Sequence, residues 1–99
     1  MAKTAREMAD SLIEIYSSLK KRYYCSKEDF KKIAGKEVLK EAFLWEVDSN
    51  LREDGYLLID IRKEKEVVAV IKMKTIMKWQ ELSQDIIEDY EFDDWEEED

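Results

Sequence analysis

The residues of this chain able to do chemistry are grouped by charge, and the sharpest group is the C-terminal run DIIEDYEFDDWEEED. Asp85 to Asp99 holds ten of the 25 acidic residues and no Lys or Arg. Carboxylates at this density repel one another over about 10 Å in ordinary salt, so the run is expected to stay extended and solvated. A segment so loose lacks the fixed octahedral geometry of a dedicated Mg²⁺ site. Tyr90, Phe92 and Trp95 are set among Asp85, Glu88, Asp89, Glu91, Asp93, Asp94, Glu96, Glu97, Glu98 and Asp99. Rings add nothing to a solubilising terminus but anchor a tail that docks on a protein. A frayed, solvated end is the plainer alternative.

The second group is basic. Between residues 20 and 40, Lys20, Lys21, Arg22, Lys27, Lys31, Lys32, Lys36 and Lys40 stand against Glu28, Asp29 and Glu37, eight cations to three carboxylates. Tyr23 and Tyr24 lie within this stretch, a combination that allows stacking on single-stranded nucleic acid. The alternative is a solvated lysine face, with Tyr23 completing a helical stripe; the patch also offers a seat for the chain's own tail. A third group, Asp60, Glu64 and Lys65, has the composition of a carboxylate and lysine metal-nuclease site, but it falls at a strand end and a turn with no second strand to supply the other acid. Cys25 is the only cysteine and there is no histidine. Those counts exclude an intrachain disulfide, the usual zinc sites and histidine acid-base chemistry. Cys25 reads as a small buried side chain at a helix junction. The expectation is a non-enzyme with no cofactor, no metal and no small-molecule substrate.

Composition frames these groups. Residues 1 to 84 carry 15 Asp and Glu against 17 Lys and Arg, so the tail accounts for all of the net charge of −8. With 99 residues and 44% hydrophobic composition, one core is expected. It should occupy a compact α+β domain over residues 1–84, with 85–99 as the end of a last helix running into the acidic tail. No window has the apolar length of a membrane span and the start has no leader-like stretch, so the expectation is a cytoplasmic protein without a membrane partner. Charged residues make up 42% of the chain, while Asn and Gln are limited to Asn50, Gln80 and Gln84. Ion-rich, amide-poor chains are favoured in hot environments, which implies a thermophilic source.

The elements that would position these groups follow from periodicity. Ala5, Met8, Ala9, Leu12, Ile13, Tyr16, Leu19 and Tyr23 form one helical stripe, with Thr4 and Glu7 as a capping box. Ser26 begins a short second helix that buries Phe30 and Ile33 and stops at Gly35. A third helix is expected from Glu37 to Glu53, burying Val38, Leu39, Ala42, Phe43, Trp45 or Val47, and Leu51, before Gly55 ends it. The period then changes to two. Tyr56 to Arg62 reads as a strand with Leu57, Ile59 and Ile61 on one face, Lys63 to Glu66 as a polar loop, and Val67 to Met77 as a second strand. There Lys72 and Lys74 are expected to face water and guard an edge. Trp79, Leu82, Ile86, Ile87 and Tyr90 make a last amphipathic helix.

Three helices followed by a β-hairpin, with Asp54-Gly55-Tyr56-Leu57 at the join, resembles a winged helix-turn-helix over residues 5–77. That resemblance implies DNA reading by the third helix, as in a dimeric transcriptional regulator of a thermophilic archaeon or its virus. The charge argues otherwise: from Lys36 to Gly55, Glu37, Glu41, Glu46, Asp48, Glu53 and Asp54 outnumber Lys36, Lys40 and Arg52 by six to three, whereas phosphate neutralisation supplies most non-specific DNA affinity. Size, composition and the EDYEFDDWEEED run together resemble the small acidic-tailed accessory subunit of the crenarchaeal replicative family-B DNA polymerase holoenzyme. This resemblance implies binding to the catalytic subunit and, through Asp85 to Asp99, restraint of strand displacement by competition with DNA. Contact with nucleic acid would then be indirect or weak. A phage-type DNA mimic that blocks a nuclease shares the same tail logic with a different partner.

Overall fold

Thr4 opens the first helix with the expected capping box: its hydroxyl accepts from the Glu7 amide at 3.1 Å, and Glu7 Oε1 accepts from the Thr4 amide at 2.9 Å. In the computed structural model, which describes residues 2–92, α1 runs Ala5–Leu19 and buries Met8, Ala9, Leu12 and Tyr16. Lys20, left-handed at φ 61°, ends it. The chain then forms β1, Tyr23–Ser26, and enters α2, Lys27–Ala34, through the Ser26 hydroxyl, which accepts from the Asp29 amide at 3.0 Å. Gly35 closes α2 in the left-handed region at φ 72°. There follow α3 (Glu41–Glu53), β2 (Tyr56–Ile61), a single helical turn α4 (Arg62–Lys65), β3 (Val67–Lys72), another turn α5 (Met73–Ile76) and α6 (Gln84–Tyr90).

The three strands form one antiparallel sheet in the order β1-β3-β2. Tyr23 to Ser26 pair with Val70 to Val67, and Tyr56 to Ile61 pair with Lys72 to Val67. The helices cover one face. Phe30 and Ala34 from α2, Leu44, Val47 and Leu51 from α3, and Tyr56, Val68 and Val70 from the sheet close over the α1 stripe into one core. Phe30 is fully buried, worth about 1.5–3 kcal/mol relative to exposure. Tyr16 meets Tyr56 edge to face at 5.2 Å between ring centroids. Arg6 on α1 donates to Asp10 at 2.7 Å and to Asp54 at 2.8 Å, clipping α1 to the end of α3.

Several expectations need correction. Tyr23 does not finish the first helix. Lys20 breaks it, and Tyr23 opens a strand that the sequence reading did not anticipate, while still reaching the core: its hydroxyl donates to the Leu12 carbonyl at 2.8 Å. The third helix starts at Glu41 rather than Glu37, so Val38 is exposed; Ala42 and Trp45 also face solvent, and Leu44 takes the buried position. The phase of β2 is reversed. Tyr56 and Leu58 pack on the core, and Leu57, Ile59 and Ile61 lie on the opposite face. The polar loop is a helical turn that ends at Glu66, left-handed at φ 55°. The last strand stops at Lys72. Lys72 pairs with Tyr56 of β2 and does not point freely into water: its ammonium sits 5.5 Å from the Tyr16 ring and 5.7 Å from the Tyr56 ring, while Lys74 is exposed as expected but lies in α5. A C-terminal helix is present, but it is α6 alone and buries no residue. No described helix is long and apolar enough to cross a membrane.

Candidate functional site

α3 is anchored on its inner side by Leu44, Val47 and Leu51, and Asp48 fixes its height over the sheet. One carboxylate oxygen of Asp48 accepts from the Leu58 amide at 2.9 Å, and the other accepts from Arg52 Nε at 2.8 Å. β2 is an edge strand, so this side chain meets an amide that no neighbouring strand can reach. The outward face then presents exposed Glu41 and Glu46 on either side of Trp45, which is 70% exposed, while Glu53, two turns further along, reaches Arg6 of α1 at 3.9 Å. A notch of about 90 Å³ opens beside the ring, lined by Glu41, Leu44, Trp45, Asp48, Leu58 and Asp60. An exposed tryptophan next to a small depression and ringed by carboxylates can anchor a basic protein surface. It repels phosphate.

The basic residues lie elsewhere and are partly neutralised. Lys27 is 3.6 Å from Glu66, Lys31 3.2 Å from Glu28 and Lys32 3.8 Å from Asp29. Lys36 stands 4.5 Å from the Phe43 ring centroid. Lys20, Lys21 and Arg22, in the turn after α1, and Lys40, at the start of α3, are exposed and make no ion pair among the described residues. Lys31, Lys32 and Lys36 line one depression together with Glu28 and Glu37, and Lys27 and Lys31 line another with Glu37. Tyr24 is exposed beside the free cluster, whereas Tyr23 is engaged in the core.

Of the acidic run, Asp85, Glu88, Asp89 and Tyr90 belong to α6, and Glu91 and Phe92 follow it, all exposed. α6 is capped by the Ser83 hydroxyl, which accepts from the Ile86 amide at 3.4 Å. Asp93, Asp94, Trp95, Glu96, Glu97, Glu98 and Asp99 lie outside the described residues.

Asp60 is occupied: its carboxylate accepts from the Arg62 guanidinium at 2.8 and 2.9 Å and from the Arg62 amide at 3.0 Å. Those bonds, led by the side-chain pair, hold its carboxyl below the usual range. Cys25 sits in β1 rather than at a helix junction, half-buried opposite Val68, and burial, aided by Asp29, pushes its thiol up. A raised thiol is a poor nucleophile.

No family model, curated protein or solved structure matches the chain. The arrangement of its own residues therefore carries the functional argument. Two features escaped the sequence reading. Trp45 and Val47 were alternatives for one buried position, and Val47 takes it; the spacing of Trp45 from Leu44 and Leu51 places it off their stripe. The second is an apolar outer sheet face, announced by the unbroken runs Leu57-Leu58-Ile59 and Val67 to Ile71, in which neither alternation phase is polar.

Proposed function

We propose that this chain is a non-catalytic accessory subunit of a DNA-processing enzyme, and that the partner its charge layout fits best is a replicative family-B DNA polymerase of a thermophilic archaeon. The carrying observation is the acidic α3 face around exposed Trp45. In this reading the body docks on a protein through Trp45 and its notch, and the carboxylates of the C-terminal run occupy a basic channel where DNA phosphates otherwise lie. Competition with DNA then limits strand displacement during synthesis. The function needs no cofactor, no metal and no small-molecule substrate, and it is cytoplasmic.

The order α1-β1-α2-α3-β2-β3 with strands neighbouring as β1-β3-β2 supports a winged helix-turn-helix body, with α4 at the wing tip. That geometry favours the second reading, a transcriptional regulator, because such a body lays its third helix in the major groove. Against it stands electrostatics: carboxylates of α3 would face the phosphates whose neutralisation drives binding.

Reconstitution with a family-B polymerase tests the proposal. Truncation after Gln84 removes no buried side chain among the described residues, so the body should stay folded and bound while the polymerase displaces downstream strands more freely. Equal displacement with the full-length and shortened chains would remove the tail's role.

A further inference from the structure

The arm beyond α5 is built like a packed element but packs on nothing. Trp79, Leu82, Ile86, Ile87, Tyr90 and Phe92 are all exposed, Tyr90 at 85%, and no residue from Met77 to Phe92 is buried. α6 has seven residues and a serine cap, and it carries apolar side chains at adjacent Ile86 and Ile87 and, about one turn on, at Tyr90. An isolated helix shorter than roughly 12 residues is marginal in water and takes its stability from the surface that its apolar face meets. The arm also stretches the molecule. Its extents are 61 × 29 × 25 Å and its Cα radius of gyration 18.0 Å, against about 13 Å for a compact chain of 100 residues.

The body offers a surface of matching character. The helices cover the inner face of the sheet, leaving Tyr24, Leu57, Ile59, Ile61, Ala69 and Ile71 on the outer one, where Ile71 is already buried at 6% exposed and the others are not. Tyr24 is 72% exposed and Ile59 40%. An apolar depression of about 250 Å³ lies among Tyr24, Ile59, Ala69 and Ile71, and Arg22 forms part of its wall. Lys20 and Lys21 are the next residues along that turn. The arm carries Asp85, Glu88, Asp89 and Glu91 between its apolar residues.

We infer that two copies of this chain pair by reciprocal exchange, the C-terminal arm of each lying on the outer sheet face of the other with its carboxylates against Lys20, Lys21 and Arg22. Charge complementarity points to the arm: Arg22 lines the apolar depression with Lys20 and Lys21 just before it in the turn, and the arm sets exposed Trp79, Tyr90 and Phe92 among Asp85, Glu88, Asp89 and Glu91 on a segment that buries none of its residues. A two-fold pair uses the same two surfaces twice, so neither an arm nor an outer sheet face is left uncovered. Buried aromatic side chains contribute about 150–250 Å² each, and two arms with three rings apiece approach the roughly 1,200–2,000 Å² of a stable interface. The pairing is independent of any polymerase and leaves α3 and Trp45 free.

Sedimentation velocity of the full-length chain over a wide concentration range tests this. The expected result is a concentration-dependent monomer–dimer equilibrium that weakens as salt is raised. Ile86→Glu combined with Ile87→Glu on the arm, and separately Tyr24→Glu on the face, should each weaken dimerisation by about 30-fold or more. Both changes fall on exposed side chains, so the melting of the body should be unchanged; Tyr24→Glu lies outside the acidic run, so restraint of a polymerase is scored separately with that variant. A monomer at every concentration overturns the inference, including a monomer whose own arm is protected from hydrogen exchange. A dimer that survives either the arm variant or the face variant overturns it as well.

Discussion

Replacing Asp48 by Ala tests how α3 is held against the sheet. The side chain bridges two elements: it accepts from the Leu58 amide on edge strand β2 and from Arg52 one turn along its own helix. A hydrogen bond to a charged acceptor contributes about 1.5–3 kcal/mol when buried. Asp48 is 25% exposed, which places it at the lower end of that range. The Arg52 pair lies on the surface and adds about 0–1 kcal/mol. Alanine is the better helix former and returns about 0.5 kcal/mol. The net loss is about 1–2 kcal/mol, or roughly 5–15 °C in Tm for a domain of this size. Arg52→Ala should lose less than about 0.5 kcal/mol, because it leaves the Leu58 amide satisfied. Asp48→Asn, which keeps an acceptor, should fall between the two. Thermal and urea unfolding followed by circular dichroism give all three values. If Asp48→Ala cost no more than Arg52→Ala, the bond to β2 would contribute nothing and α3 would be held by Leu44, Val47 and Leu51 alone.

Other outcomes follow from particular residues. Trp45→Ala should change body stability by less than about 0.5 kcal/mol, because the ring is exposed, yet weaken partner binding by about 2 kcal/mol or more in calorimetric titration. Gly55 has φ 86° with open space where a Cβ would sit, so Gly55→Ala should cost only the left-handed strain of about 1–2 kcal/mol, seen as a lower urea midpoint at unchanged m. Asp60 has a lowered folded pKa, so its contribution is present above the ordinary carboxylate range and is lost as pH falls through the lowered value. Asp60→Asn should therefore flatten that part of the acid limb in a plot of stability against pH and leave the alkaline side unchanged.

How much of this was legible in the sequence varied with the kind of signal. Caps and stripes were readable, as Thr4 with Glu7, Ser26 with Asp29, and the stops at Gly35 and Gly55 show. β1 was not. Tyr23-Tyr24-Cys25-Ser26 is four residues long, and Tyr23 continues the helical spacing of α1; only the left-handed turn at Lys20 and the pairing with β3 turn it into a strand. The phases of β2 and β3 were hidden for a different reason. Both sides of each strand are apolar, so alternation could not say which side faced the helices, and Lys72 was placed in water although its ammonium stands over two tyrosine rings. Of the candidate site, the charge segregation was visible from counting alone. The exposure of Trp45 was within reach of the spacing, because Leu44, Val47 and Leu51 define the inward stripe of α3 and Trp45 falls off it.

The account depends on α3 presenting carboxylates and a tryptophan to a protein rather than to a phosphate backbone. Fluorescence anisotropy of the full-length chain with duplex DNA at physiological salt measures this directly. The account predicts binding no tighter than the roughly 10⁻⁴–10⁻⁶ M of non-specific contact, with little loss on Glu41→Ala or Glu46→Ala. Nanomolar binding to one duplex, falling steeply as salt is raised, would contradict it and make the chain a DNA-reading regulator.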